Sequence, residues 1–374
     1  MSNENKVDMS SISTLMVRIL EFALCLGVLI FLHELGHFLT SRLFKIEVEE
    51  FGFGFPPRLA RLFRLGNTQF TLNWIPFGAF VRPKGENDPN IPGGLAAASP
   101  LQRLVVLASG PLMNFVAGIL LLSMIFIQVG GPDLTKVQVI QVNNDSPAAL
   151  AGITEGDLIT HINGEPITSI EKLSQLVQNH KGESIVITLL RNGQKIDVQA
   201  IPRINPPEGQ GALGIVMSNP IVPLSLGESV IYGSRVMVEQ CRQLILLPSR
   251  LIRGQLAPEQ ARVVGPIGIF GIYNQVRERD IEDQANAQPS ASSPKALNTL
   301  YLLASISIAL GFANLLPIPA LDGGRILFVL VELAIRRRIP PEYENAVHSI
   351  GFLILISLML YVTVQDIVYP TVLP

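Results

Sequence analysis

Charge is scarce in this chain. Only 16% of its 374 residues are Asp, Glu, Lys or Arg, where a soluble globular protein carries about 25%. That deficit excludes an ordinary water-soluble domain as the whole molecule and points to a membrane. The formal net charge of -2 argues against nucleic acid as a partner. Cysteine is nearly absent. The two residues, Cys25 within an apolar run and Cys241, exclude a disulfide framework, and neither has another ligand type close by in sequence. Histidine numbers five, so histidine-based chemistry must draw on few positions. The stretch Met1–Ser13 has no basic region leading into an apolar core. The run after it has no small-residue cleavage site, so it is read as retained rather than as a signal peptide. The chain has no internal repeats.

What the chain does have is four long apolar runs, each near the ~20 residues that a membrane-spanning helix needs. They are Leu15–Leu39, Leu104–Val129, Ala296–Leu316 and Val347–Val364. The first carries Arg18, Glu21, His33, Glu34 and His37 and is expected to be the least hydropathic. Ionisable residues inside a membrane are costly, and they mark function by default. Basic residues crowd two segments between the runs, Arg42 to Arg103 and Arg325 to Arg338. Both should be cytoplasmic, leaving the region from about 130 to 295 outside.

That central region is soluble in character. Val137–Val142, Leu158–Ile162, Ile185–Leu190 and Lys195–Ile201 read as strands, separated by turn signals such as Asn163-Gly164 and Asn192-Gly193. Ile170–Asn179 has helical spacing. Pro202–Gly211 reads as a linker, Leu224–Leu256 as an amphipathic helix, and Gln284–Pro294 as a mobile loop.

Chemistry concentrates in His33-Glu34-Leu35-Gly36-His37. Two histidines four apart lie on one helix face, so both imidazoles can reach one metal ion. The neighbouring Glu34 can take a proton from an attacking water; this is the zinc-hydrolase pattern. A catalytic zinc needs a third protein ligand. His161 and His180 fall on the far side by charge bias, and His348 begins the fourth run. Asp322, in Asn314–Gly324, is the better candidate because it sits at the same end as the histidine pair. Prolines and glycines break the helix there, which is tolerated at membrane depth only against protein or a cavity. The alternative is an unremarkable helix terminus with Asp322 in a turn.

The histidine motif, Gly110-Pro111-Leu112-Met113-Asn114-Phe115 and Asn314–Gly324 occur in an order that resembles the site-2 protease family of intramembrane zinc metalloproteases. The bacterial, PDZ-containing branch (the sigma-E-regulating type) is the closest match, over nearly the whole chain. The resemblance implies His33, His37 and Asp322 as zinc ligands and Glu34 as catalytic base. It implies that Asn314 holds substrate backbone, the alternative being an amide that satisfies carbonyls freed by Pro317 and Pro319. Asn114 is a second candidate for substrate binding, or else part of a structural kink at Pro111. Phe51–Pro57 and Thr68–Arg82 resemble the family's membrane-associated β-hairpin, whose edge can pair with an unwound substrate; an interfacial aromatic anchor is the alternative. Ser146–Ile153, Gly156–Ile159 and Ile162–Gly164 resemble the permuted bacterial PDZ pattern, with Gly211–Ile215 as a candidate peptide-binding loop.

The expected fold is therefore an α-helical polytopic membrane protein of about four transmembrane helices, with an inserted α+β PDZ-like domain and a membrane-associated β-hairpin. Residues 1–135 and 296–374 form the two membrane parts of the protease core. Residues 136–218 form the PDZ-like domain, and 219–295 a helical region with the loop. The expected activity is zinc-dependent hydrolysis of peptide bonds in or near transmembrane segments, as in anti-sigma factor or signal-peptide cleavage. The expected partners are a transmembrane protein substrate, a peptide or C-terminus at the PDZ-like domain and the lipid bilayer. The expected address is a bacterial inner (plasma) membrane, with the PDZ-like domain extracytoplasmic and the active site toward the cytoplasmic face. An inactive PDZ scaffold or a metal transporter would be the rival readings. The intact His33, Glu34, His37 and Asp322 set speaks against the first, and a fourth run without ionisable residues from Phe352 to Val364 against the second.

Overall fold

The computed structural model describes residues 9–255, 262–286 and 296–370. In chain order, helix α1 (Met9–Leu43) leads into strands β1 (Val48–Leu65) and β2 (Thr68–Pro83), then helix α2 (Pro100–Val129). Next come β3 (Gly131–Pro132), β4 (Val137–Val142), α3 (Pro147–Leu150), β5 (Leu158–Ile162), β6 (Glu165–Pro166) and α4 (Ile170–Asn179). Strands β7 (Ile185–Arg191), β8 (Gln194–Ala200), β9 (Ile215–Ser218) and β10 (Ile221–Val222) follow. Helices α5 (Leu226–Ile252), α6 (Pro266–Asn286), α7 (Leu297–Leu315), α8 (Asp322–Ile335) and α9 (Pro341–Val368) complete the chain. They form two compact units: Met1–Ile125 with Val230–Pro374, and Phe126–Ser229.

In the first unit, Ser13–Leu43, α2, α7 and α9 are long and apolar enough to cross a membrane. Three contain one of the runs read from the sequence, and α7 covers the third, Ala296–Leu316, but for one residue at each end. The first is not the least hydropathic. Its charged groups cluster at the ends, and the stretch between them is the most apolar of the four. Outward faces of these helices carry bare aliphatic side chains, such as Leu20, Leu101, Leu353 and Ile354. A surface of this kind is stable when hydrocarbon covers it.

The β1–β2 hairpin is folded over on itself. Phe51 is paired with Val81 and also with Phe70, so Glu50–Phe53 is flanked on both sides. Phe51, Phe70, Phe38 and Val48 are buried together, closing one face of the hairpin against Phe31 and Leu35 of α1. Helix α6, which the sequence pattern did not single out, braces the spans. Its Asp280 accepts from the backbone N–H groups of Asn298 (3.1 Å) and Thr299 (2.9 Å). It thereby caps the first turn of α7, which has no cap of its own. Tyr273 and Phe270 of α6 pack on Phe22 of α1. Of the segment read as a mobile loop, Gln284–Asn286 is helical and the rest lies outside the described residues.

The second unit is a six-stranded sheet in the order β8-β7-β5-β4-β9, with β6 on β5. Its core gathers Val137, Val139, Ile185, Ile187 and Leu189 from alternating strand positions, Ile159 and Ile162 from either side of a register shift in β5, and Leu173, Leu176 and Val177 from one face of α4. Ser146 and Ser169 cap α3 and α4 through their side chains. Asn163-Gly164 and Asn192-Gly193 have positive φ and form the tight hairpin turns. Asp157 is buried and is held by Arg191 through two hydrogen bonds of 2.7 Å. The stretch read as a linker is instead internal to this unit. Arg203 bonds back to Ala212 and to the Asp145 carbonyl, and the chain then re-enters the same sheet as β9.

Candidate metal centre

The site is built by three helices and one broken turn of the first unit. Helix α1 carries His33 and His37 one turn apart. Their Nε2 atoms lie 3.2 Å from each other. Helix α1 crosses α2 closely because Gly36 has no side chain; a Cβ there would collide with the Ser109 carbonyl. On α2, Gly110 faces the two imidazoles. A Cβ on it would lie against Nε2 of His37 and 2.8 Å from Nε2 of His33. The glycine thus leaves open the space into which both nitrogens point.

The third side chain comes from beyond α7. Pro317 and Pro319 cannot continue that helix, and the chain turns through Ala320, whose φ is +75°. The N–H of Ala320 donates to Nδ1 of His348 on α9 at 2.8 Å. Gly323 and Gly324 lie so close under the Leu316 and Ile318 carbonyls that no Cβ fits. This compact turn delivers Asp322, the first residue of α8. Its Oδ2 stands 3.1 Å from His33 Nε2 and 3.4 Å from His37 Nε2.

These three atoms fit a metal. Ligands placed tetrahedrally at about 2.0 Å from zinc are about 3.3 Å apart, which matches the observed separations. Oδ2 of Asp322 is also buried and receives no hydrogen bond, an arrangement that costs stability unless a cation is present. Burial alone would raise the Asp322 carboxyl; positive charge on the imidazoles beside it, when they are protonated, outweighs that and lowers it. Among the described residues, His33, His37 and Asp322 are the one group of His, Cys, Asp or Glu side chains arranged to hold a metal.

The two imidazoles have identifiable partners behind them. His37 Nδ1–H donates to the Val106 carbonyl of α2 at 2.8 Å, which leaves Nε2 with its lone pair. His33 Nδ1 lies 3.3 Å from the Asn114 amide nitrogen, and Oδ1 of Asn114 is buried without a partner. A half-turn of that amide lets Nδ1–H donate to Oδ1 and frees Nε2 of His33 in the same way. The Asn114 backbone is tied to α7, since its main-chain carbonyl accepts from the Ser307 hydroxyl at 2.8 Å.

A cavity of about 250 Å³ opens onto the centre, lined among others by Glu34, Val81, Asn314 and Arg325. Glu34 Oε2 accepts from the Val81 backbone N–H at 2.9 Å. Asn314 donates to the Leu310 carbonyl at 3.1 Å and also faces the cavity. His161 bonds to Thr160 and His180 to the Leu176 carbonyl, within the other unit. Sequence reasoning did not find Val106 or Val81, because both act through backbone atoms. Gly110 carried a signal, a glycine before a mid-helix proline, but its reason lies in the imidazoles opposite.

The pattern of peptidase family M50 matches residues 21–358. A Clostridium perfringens relative carrying a zinc metalloprotease name is 31% identical over 93% of this chain and 97% of its own length. The regulator of sigma-W protease RasP of Bacillus subtilis is 26% identical over 93% of this chain and 98% of its own. Among solved structures, a PDZ domain from Listeria monocytogenes aligns with 22% of this chain and 85% of its own, at 26% identity. Its TM-score of 0.20 is too low to assign a fold.

Proposed function

The chain belongs to peptidase family M50, and on that premise we propose that it is a zinc metalloendopeptidase of the membrane that cleaves other membrane proteins in or near their spanning segments. The observation that carries this reading is the convergence of His33, His37 and Asp322 beside Glu34, at the ends of helices fit to cross a bilayer.

His33, His37 and Asp322 would hold the ion. When bound, zinc supplies Lewis-acid polarisation of the scissile carbonyl and acidification of water. Glu34 accepts the proton of the attacking water and passes it to the leaving amine. The Val81 N–H orients that carboxylate through one oxygen, leaving the other for the proton. Val106 and Asn114 keep the two imidazoles in the metal-binding tautomer. Asn314 holds substrate backbone at the cavity wall.

The substrate is a transmembrane helix that must unwind, because a helical peptide bond is shielded by its own hydrogen bonds. Ala79–Pro83 supports a place for the extended form. Among the described residues it is paired only toward Val48–Phe53, and Val81 touches the catalytic carboxylate. Substrate added at that edge as a further strand would run past Glu34. In the inserted unit, a cleft of about 80 Å³ lies between α4 and the edge strand β9, lined by Leu173, Val177, Leu213 and Met217. It supports a PDZ-like role, capture of a peptide or C-terminus. The basic loops favour a bacterial inner membrane address with the metal centre toward the cytoplasm.

The test is Glu34→Gln in the full chain, reconstituted with a candidate single-pass substrate. One zinc per chain should remain while cleavage falls by about 10²–10⁴-fold. Undiminished cleavage overturns the assignment of the base. Absence of zinc from the unaltered protein overturns the enzyme itself.

A further inference from the structure

A further cavity, of about 430 Å³ and rich in arginine, lies away from the metal centre. Its walls include Pro100 and Arg103 of α2, Glu332 at the end of α8, and Arg336, Arg337 and Arg338. Helix α8 stops at Arg336, whose φ of +54° turns the chain sharply. The three consecutive arginines therefore spread around the cavity instead of continuing along a helix. Arg338 donates to the Ala96 carbonyl. Arg103 and Glu332 are buried against each other at 2.5 Å, so that pair is neutral. Glu332 also accepts from the Ile339 N–H at 3.1 Å. Arg336 and Arg337 make no hydrogen bond or ion pair among the described residues and are exposed.

The cavity lining thus holds an excess of three guanidiniums over carboxylates, and Glu344 of α9, close enough to feel Arg103 and Arg338, reduces the local excess to two. The carbonyl end of α8 offsets about half a charge. The N-terminal end of α2, starting at Pro100, returns a similar amount of positive potential, whereas that of α9 is offset by Glu342 and Glu344 in its first turn. Both helices are fit to span the bilayer, so their first turns mark the depth of the lipid headgroups. Leu101 is 70% exposed beside the cavity, as a residue touching acyl chains would be. Guanidinium forks match phosphate oxygens in pairs.

We propose that this cavity binds the phosphate group of an anionic membrane lipid. Basic pockets beside transmembrane helices at headgroup depth take such groups, and here the walls are the spanning helix α2 and the shorter α8. Because α2 carries Val106, Gly110 and Asn114 while α8 begins with Asp322, the bound headgroup clamps together the two helices that complete the metal centre.

The experiment uses the full chain in phosphatidylcholine nanodiscs with or without phosphatidylglycerol, and native mass spectrometry to count retained lipid. R336Q/R337Q removes two unpartnered charges. R61Q/R64Q removes the same charge from the basic hairpin. Phosphatidylglycerol should be retained by the unaltered protein and raise its unfolding temperature. R336Q/R337Q should weaken retention by about thirtyfold and abolish that rise, with R61Q/R64Q leaving both in place. Equal losses in the two variants, or none in the first, overturn the site. Displacement of the lipid by inorganic phosphate alone would assign the cavity to a soluble anion and overturn the lipid.

Discussion

The Asn114 amide meets Nδ1 of His33 across the α1–α2 interface at 3.3 Å, as the Val106 carbonyl meets Nδ1 of His37 at 2.8 Å. Each imidazole is held from behind by α2, one by a side chain and one by the backbone. The side-chain partner can be removed. Asn114→Ala should weaken zinc by about 10–100-fold, measured by competition with a chromogenic chelator. Asn114→Asp, which keeps an acceptor, should retain most of the affinity. Unchanged affinity in the alanine variant contradicts the positioning role.

Gly110 should be irreplaceable for a reason other than helix packing. Gly110→Ala puts a methyl against the Nε2 atoms of both histidines. Zinc stoichiometry should fall well below one per chain and activity with it, while the thermal midpoint moves only as far as overpacking of about 1–3 kcal/mol dictates. Gly27→Ala on the same α1 face as the hairpin meets nothing closer than 3.9 Å and should be silent. A zinc-replete, active Gly110→Ala enzyme would show that the space is not needed.

Val81→Pro removes the one backbone donor on Glu34 without deleting a side chain from the centre. An edge strand tolerates proline better than an interior one. Zinc should stay bound, and kcat/KM on a membrane substrate should fall about 10–100-fold, as for a hydrogen bond to a charged group. Loss of zinc instead would mean that the hairpin supports the fold of the centre rather than the reaction.

The inserted unit should carry its own pH dependence. Burial raises the Asp157 carboxyl, but Arg191 and the Thr154 N–H outweigh it and leave the value below the ordinary range. A depressed native pKa adds stability above the unfolded value of about 3.9, and that stability is lost as pH falls through the native value. Hydrogen exchange of β5 and β7 amides in the full chain should therefore show protection falling as pH drops below about 4. Asp157→Asn should lower protection at neutral pH and flatten the profile. An unaltered profile in that variant would place the pH dependence elsewhere.

The membrane architecture was legible because a bilayer demands long apolar runs, and those runs are read directly from residues such as Leu104–Val129. The histidine pair was legible because an i, i+4 spacing fixes a common face. Asp322 could be connected to it only through the basic loops, which put both at one end. The partners behind the ligands were not legible. Val106 and Val81 contribute a carbonyl and an N–H, which every residue has, and only the crossing of α1 with α2 and with the hairpin selects them. Helix α6 was missed for a related reason. Its apolar first half and charged second half give no periodic stripe, and its task, capping α7 through Asp280, is a contact between neighbouring helices.

The two-part origin of the centre also bears on the life of the chain before it is complete. The histidines enter with the first span, and Asp322 arrives only after the inserted unit and the third span have been made. Two imidazoles alone leave an ion half-coordinated and readily lost. With the proposed ligand set, a nascent molecule therefore has no complete centre until synthesis reaches the start of α8.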